Sequence, residues 1–311
     1  MARTSRIKFN GAIYHVMVRS ISEIDLFNED VDKEKYLSEM RISQIMYKFK
    51  VYGYCMMNNH AHFIIDANGA DISKIMQGLN FKYASWFNAK YKRHGHLFQD
   101  RFKSKIVDTN RYLIALSAYI HNNPINIKGY ENRPEKYKYS SLAVYLGLKK
   151  DETGILDEDY IMQLFSSDVK TARKNYKKFV YICNNNKLQE EIQNGIEFRD
   201  EKAKYISKKS ILIRDVDPEK IIEFLSKETG INRLMIYVKN SRRTKSVRAL
   251  AILLMRSFCD FRCSEICKLL GNITQSRVST LCSFGIDLIT KNEAYNNIVE
   301  KFISNYYNLA T

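Results

Sequence analysis

Two histidines separated by one residue, His60 and His62 of NNHAHFIID, are residues whose types and spacing suggest chemistry. Side chains alternate across a β-strand, so His60, His62 and Ile64 share one face of an extended segment and Ala61, Phe63 and Ile65 the other. With the apolar face packed on helices, the imidazoles stand together on the opposite face, near enough to bind one divalent cation through neutral nitrogens. The same spacing also suits two hydrogen-bonded histidines on a half-exposed strand, and the pair alone does not decide between these.

A second constellation lies in RYLIALSAYIHNNP. Tyr112, Leu116, Tyr119 and Asn123 follow at spacings of four, three and four, which makes one stripe of a helix that should face the sheet. Tyr119 and Asn123, one turn apart, bring a hydroxyl and an amide oxygen toward the same ion, while His121 points away. Among 21 tyrosines packing alone sets several on helix faces, so composition does not choose Tyr119 over Tyr112. Pro124 disfavours helical geometry at Asn123.

The elements that must position these residues are legible from periodicity. AIYHVMVR (12–19) alternates as a strand, 31–49 is helical, and VYGYCMM (51–57) and HAHFIID are adjacent strands broken at Asn58 and Asn59. A helix over 72–91, a short strand KSKIV (103–107) and a helix over 110–122 follow, the last capped by Asp108 or Thr109 and stopped by Pro124. Strand, helix, strand, strand, helix, strand is the order of a ferredoxin-like α+β sandwich with an antiparallel sheet. The expected organisation is a domain over 1–150, a polar connector over 151–210 with one amphipathic helix at 169–182, and an all-α region over 211–311.

The formal charge is +16, from 50 Lys and Arg against 34 Asp and Glu. It points to a polyanionic partner such as nucleic acid rather than to a membrane surface. No apolar block has the length of a secretory signal or of a membrane span. The six cysteines form no CxxC pair, and Cys259, Cys263 and Cys267 recur every four residues as if along one helix face. That pattern reads as buried thiols in a reducing cytoplasm. Between residues 72 and 107 eight basic residues meet one acid, Asp100, with aromatics interleaved. Lys92, Arg93, Arg101, Lys103 and Lys105 are the candidates for phosphate contacts, against the alternative of an ordinary solvated face. Toward the C-terminus, SEICKLLG, the turn NIT and QSRVSTLCSFG match a helix-turn-helix. Between Thr229 and Cys259 seven basic residues meet no acid, which suits phosphate contacts.

With these residues in view, roughly the first half of the chain resembles the REP-associated tyrosine transposases, single-tyrosine members of the HUH superfamily. The resemblance is carried, in order, by GAIYHVMVRS, YGYCMMNNHAHFII, GHLFQDRFKS, YLIALSAYIHNNP and YKYSSLAVYLG. It implies a ferredoxin-like nuclease domain in which His60 and His62 bind Mg²⁺ or Mn²⁺, Asn123 completes the site, and Tyr119 is the nucleophile. The expected activity is nicking and strand transfer of hairpin or palindromic single-stranded DNA through a 5′-phosphotyrosine, by a monomer or a homodimer. The C-terminal segment is similar to the helix-turn-helix that closes the replication initiator DnaA. This implies duplex DNA binding, with Gln275, Ser276 and Arg277 near bases and Arg242, Arg243, Lys245 and Arg248 near phosphates. Two departures stand out: Asn58 occupies the place of a proline in relatives, and Ile125, Asn126 and Ile127 follow Pro124 where relatives carry a basic residue. Other readings remain open from the residues: a non-catalytic DNA-binding protein derived from such a transposase, a metallohydrolase acting through bound water, or a basic helical bundle that only supports the first domain.

Overall fold

The computed structural model describes residues 11–183, 212, 214–238 and 244–307. The chain divides into two compact units, one formed by Met1–Gln44 with Phe49–Ile211 and the other by Ile45–Lys48 with Leu212–Thr311.

In the first unit, strands β1 (Ile13–Arg19), β2 (Lys50–Met56), β3 (His60–Asp66) and β4 (Lys103–Val107) form one sheet in the order β2-β3-β1-β4, with every neighbouring pair antiparallel. Helices α1 (Asp30–Tyr47) and α2 (Ile72–Lys90) supply the crossovers, and α3 (Asn110–Asn122) follows β4. This is the α+β, ferredoxin-like arrangement that the element order predicts, with element ends shifted by one or two residues. Helix α1 stops two residues before the expected end because Lys48 turns to a positive φ of 49°.

The period-2 alternation of β1 and β3 divides the layers. Phe63 stacks on Tyr36 of α1 at 5.7 Å, and Tyr36 meets Tyr83 of α2 at 5.1 Å, so Ala61, Phe63 and Ile65 form the fully buried floor of a helix layer. The other face of β3 carries His60 and His62 and is covered by α3. Thr109 caps α3 by accepting from the backbone N–H of Tyr112 at 3.0 Å.

The stretch expected as a connector is, over its described residues 151–183, part of this unit. Helices α4 (Leu142–Tyr145) and α5 (Asp159–Met162) precede α6 (Val169–Ile182), whose apolar stripe Ala172, Tyr176 and Val180 is buried. The Tyr176 hydroxyl pairs with Nδ1 of His121 at 2.6 Å and donates to Ser117 at 3.0 Å, while Nε2 of His121 pairs with Ser141 at 2.7 Å. A polar composition hid this packing because α6 spends its charges on the opposite face. The connector residues 184–210 lie outside the described residues.

The second unit is helical among its described residues: α7 (Pro218–Thr229), α8 (Arg233–Ile236), α9 (Lys245–Phe258), α10 (Cys263–Leu270), α11 (Gln275–Lys291) and α12 (Ile298–Tyr307). Helix α9 is apolar almost all round and runs through the core. Helix α11 crosses it at Gly285, where a Cβ would lie 2.7 Å from the Ala249 carbonyl oxygen, so only glycine permits the approach. Gly271, at φ 71°, closes α10, and Thr274 caps α11 after a short turn. The three cysteines expected on one helix do not share one: Cys259 closes α9, and the chain breaks at Asp260, with φ 54°, before α10 begins at Cys263. No helix among the described residues is long and apolar enough to cross a membrane.

Candidate active site

The register of β1 against β3 sets Arg19 opposite His60, Met17 opposite His62 and His15 opposite Ile64. Opposed residues in an antiparallel pair share a face, so His15, Met17 and Arg19 join the two histidines beneath α3. His60 is half-buried and His62 only 3% exposed. Their ring centroids are 5.1 Å apart at 87°, close enough for both to reach one ion.

Tyr119 comes to this pair from α3. Its ring lies edge-on to His62 with centroids 5.6 Å apart, and 6.2 Å from His15. Tyr112, the other tyrosine of the stripe, lies under the Lys105 ammonium, 5.1 Å from its ring centre. Burial, together with Asp108, pushes the Tyr112 hydroxyl up to about 12.

Asn123 is helical after all, at φ −51° and ψ −37°, despite the proline that follows. Asn123–Asn126 tightens into a 3₁₀ turn, so the Asn123 N–H bonds to the Ile120 carbonyl. The Asn123 carboxamide nitrogen donates to the Tyr119 carbonyl at 3.0 Å, and the same side chain is near enough to His60 to raise its pKa. The end of the helix thus lies beside the histidine pair.

Each histidine has one ring nitrogen engaged by the protein. Nδ1 of His60 donates to the Asn59 carboxamide oxygen at 2.6 Å, and Nδ1 of His62 pairs with Nε2 of His15 at 2.9 Å, the two rings stacking at 5.1 Å. Burial, then His15 and His60, hold the His62 pKa well below the usual range. Burial and Arg19 lower that of His60, partly offset by the Asn123 side chain. Burial, then Lys105, bring His15 down to about 4. All three are therefore neutral at neutral pH, the protonation state a nitrogen ligand requires.

Residues 8–123, which span this whole constellation, match the family described as "Transposase IS200 like". The likeness to that family covers this segment of the chain. A search of curated proteins finds no match. Among solved structures, one of a REP-associated tyrosine transposase bound to a REP hairpin is similar at 14% identity and a TM-score of 0.41, covering 54% of this chain and 93% of that one.

Around the candidate site the predicted basic residues separate. Lys103 and Lys105 stand opposite Met17 and His15, on the histidine face of the sheet. Lys92, Arg93 and Arg101 lie in the segment joining α2 to β4, with Lys92 and Arg101 exposed. In the second unit Gln275, Ser276 and Arg277 are exposed in the first turn of α11, and exposed Lys245 lies 4.3 Å over the Phe284 ring. Arg248 is a correction: it is 6% exposed and its guanidinium donates to the Val238 carbonyl and Asn272 Oδ1, which ties the helices together and withdraws it from phosphate. Arg242 and Arg243 lie outside the described residues.

Two residues near the pair escape the sequence reading, His15 and Arg19. Their alternation in YHVMVR was the available signal, but register decides which face they share. Asn58, the residue replacing proline, now has a role in the β2–β3 turn: its carbonyl accepts from the Phe27 N–H at 2.8 Å and its side-chain oxygen from Lys33 at 3.3 Å.

The buried imidazoles make stability depend on pH. In the unfolded chain each protonates near 6.5, and in the fold His15 resists until about 4 and His121 until about 3. Their contribution is thus complete above about pH 6.5 and declines as pH falls, approaching about 1.4 kcal/mol per pH unit per histidine. Urea midpoints of the metal-free protein should drop clearly between pH 7 and pH 5; a flat profile would contradict the neutral, buried state of these rings.

Proposed function

We propose that the chain is a metal-dependent DNA transposase that nicks and rejoins single-stranded DNA through Tyr119. The observation that carries the reading is the approach of Tyr119 to His62, two residues from different parts of the chain, with ring centroids 5.6 Å apart. The donor set fits a divalent cation such as Mg²⁺ or Mn²⁺. Two neutral imidazoles have their Nδ1 atoms occupied, which leaves Nε2 of each, and the Asn123 amide lies beside His60. When bound, the ion would polarise the scissile phosphate and stabilise charge in the transition state.

The chain's own residues do the rest. The Tyr119 oxygen attacks phosphorus, the bond from phosphorus to the 3′ oxygen breaks, and the phenolic proton ends on that oxygen as a free 3′-hydroxyl. The 5′-phosphotyrosine keeps the ester bond energy for the return step, so rejoining needs no nucleotide cofactor. His15 holds the His62 ring in one orientation, and Arg19, beside His60, adds positive charge where a phosphate would lie. A hairpin or palindromic strand is the substrate class we infer. We assign duplex contacts to α10 and α11, a helix-turn-helix whose exposed Gln275, Ser276 and Arg277 would reach base edges. This agrees with the net charge of +16.

Incubation with Mn²⁺ and a labelled single-stranded palindrome should give a denaturation-resistant adduct with the wild-type protein and none with Tyr119→Phe. Cleavage that survives Tyr119→Phe would point instead to attack by metal-bound water, and duplex binding with no cleavage to a DNA-binding protein without activity.

The site also makes a prediction about metal affinity. The candidate donors, two neutral imidazoles and the Asn123 amide, carry no negative charge, so none of them neutralises a bound cation. The DNA phosphate must do so, and linkage makes the two ligands help each other. Mn²⁺ affinity measured by calorimetry should rise about 5- to 150-fold when uncleavable single-stranded DNA is present; equal affinity with and without DNA would contradict this.

A further inference from the structure

We propose that the groove between α2 and residues 95–102 receives an unpaired nucleobase of the strand whose phosphate lies at His60 and His62, an inference that rests on the single-stranded DNA reading above. The groove has a volume of about 950 Å³, within the range of about 300–1,000 Å³ typical of ligand sites. Gln77, Asn80 and Phe81 line it from α2, and Phe98, Gln99 and Arg101 from the facing segment.

Phe81 is the residue that asks for an occupant. It is 72% exposed, on a helix whose Tyr83 and Phe87 are buried and whose Trp86 is half-buried. An exposed ring among amides suits a nucleobase, which offers a π face for stacking and an edge of donors and acceptors. The amides are available for that edge. Asn80 keeps its oxygen for the Tyr36 hydroxyl at 2.9 Å and leaves its N–H donors, while the side chains of Gln77 and Gln99 have no partner among the described residues. Arg101 is at hand for a phosphate, and Asp100 is the single carboxylate in the lining.

One wall of the groove is fastened to the strand that carries part of the candidate active site. The 95–102 segment is fastened to the end of β1 by the Ile21 N–H to the Leu97 carbonyl at 3.1 Å and the Gln99 N–H to the Arg19 carbonyl at 3.0 Å. Arg19 is the residue paired with His60. On this inference a strand with one phosphate at the histidines runs on toward this wall and turns an unpaired base into the groove. The wall is held in place beforehand by these backbone bonds and by Asn88, whose amide donates to the Gly95 carbonyl at 2.9 Å. Little ordering cost then opposes binding.

The test compares two probes by fluorescence anisotropy: a labelled mixed-sequence single strand of about 16 nucleotides, the upper end of a single-strand site, and an abasic strand of the same length. Phe81→Ala should weaken binding of the base-bearing strand about 5- to 150-fold, the range for one stacked base. It should leave the abasic strand unchanged, and Phe81→Tyr should bind as wild type. Because Phe81 is exposed, the thermal midpoint of each variant should match the wild type. Unchanged affinity of Phe81→Ala for the base-bearing strand, or an equal loss on both strands, would overturn the groove assignment while leaving the transposase reading in place. If the wild type binds neither strand, the single-stranded DNA reading itself fails.

Discussion

The alternation of β3 between two environments is the constraint on which this molecule depends. One face of the strand, Ala61, Phe63 and Ile65, is fully buried against the Tyr36 and Tyr83 cluster, and the burial of a single such large side chain is worth about 1.5–3 kcal/mol. A slip of one residue would send these side chains under α3 and the imidazoles into the aromatic layer. The hydrophobic face thus pins the histidines at fixed depth, although it contributes no atom to the chemistry.

From that register the remainder of the site follows. Antiparallel pairing with β1 brings His15 against His62 and Arg19 opposite His60, and α3 lays Tyr119 over them. Strands set the metal-ligand candidates, which must not move, whereas the nucleophile candidate sits near the end of a helix that closes in a 3₁₀ turn. Asn123, whose amide donates to the Tyr119 carbonyl, lies beside His60 where these two elements meet. Neutral imidazoles in a buried setting are costly to protonate, and the same desolvation that keeps them neutral readies them for a cation.

Much of this was legible in the sequence, and the exceptions have physical reasons. The element order, the pair His60 and His62, and the stripe carrying Tyr119 depend on local periodicity, which a sequence displays directly. His15 was not singled out, because its value comes from strand register, a non-local property. Arg248 looked like a phosphate contact from composition, yet it is buried and satisfied by Val238 and Asn272, since charge counts cannot tell a surface arginine from one that ties helices together. Asn123 is helical despite the rule about residues before proline, in a 3₁₀ turn where its side chain donates to the Tyr119 carbonyl. The packing of α6 on α3 through Tyr176 and His121 was hidden by a polar composition.

The central claim is that Tyr119, among the many tyrosines of the chain, is the residue that meets the phosphate. The most direct measurement is peptide mapping by mass spectrometry of the covalent adduct after the bound DNA has been digested to a short remnant. The account predicts a single nucleotide-bearing peptide with the modification on Tyr119 through a 5′-phosphate. Modification of Tyr112 or of another tyrosine, or linkage through a 3′-phosphate, would contradict it.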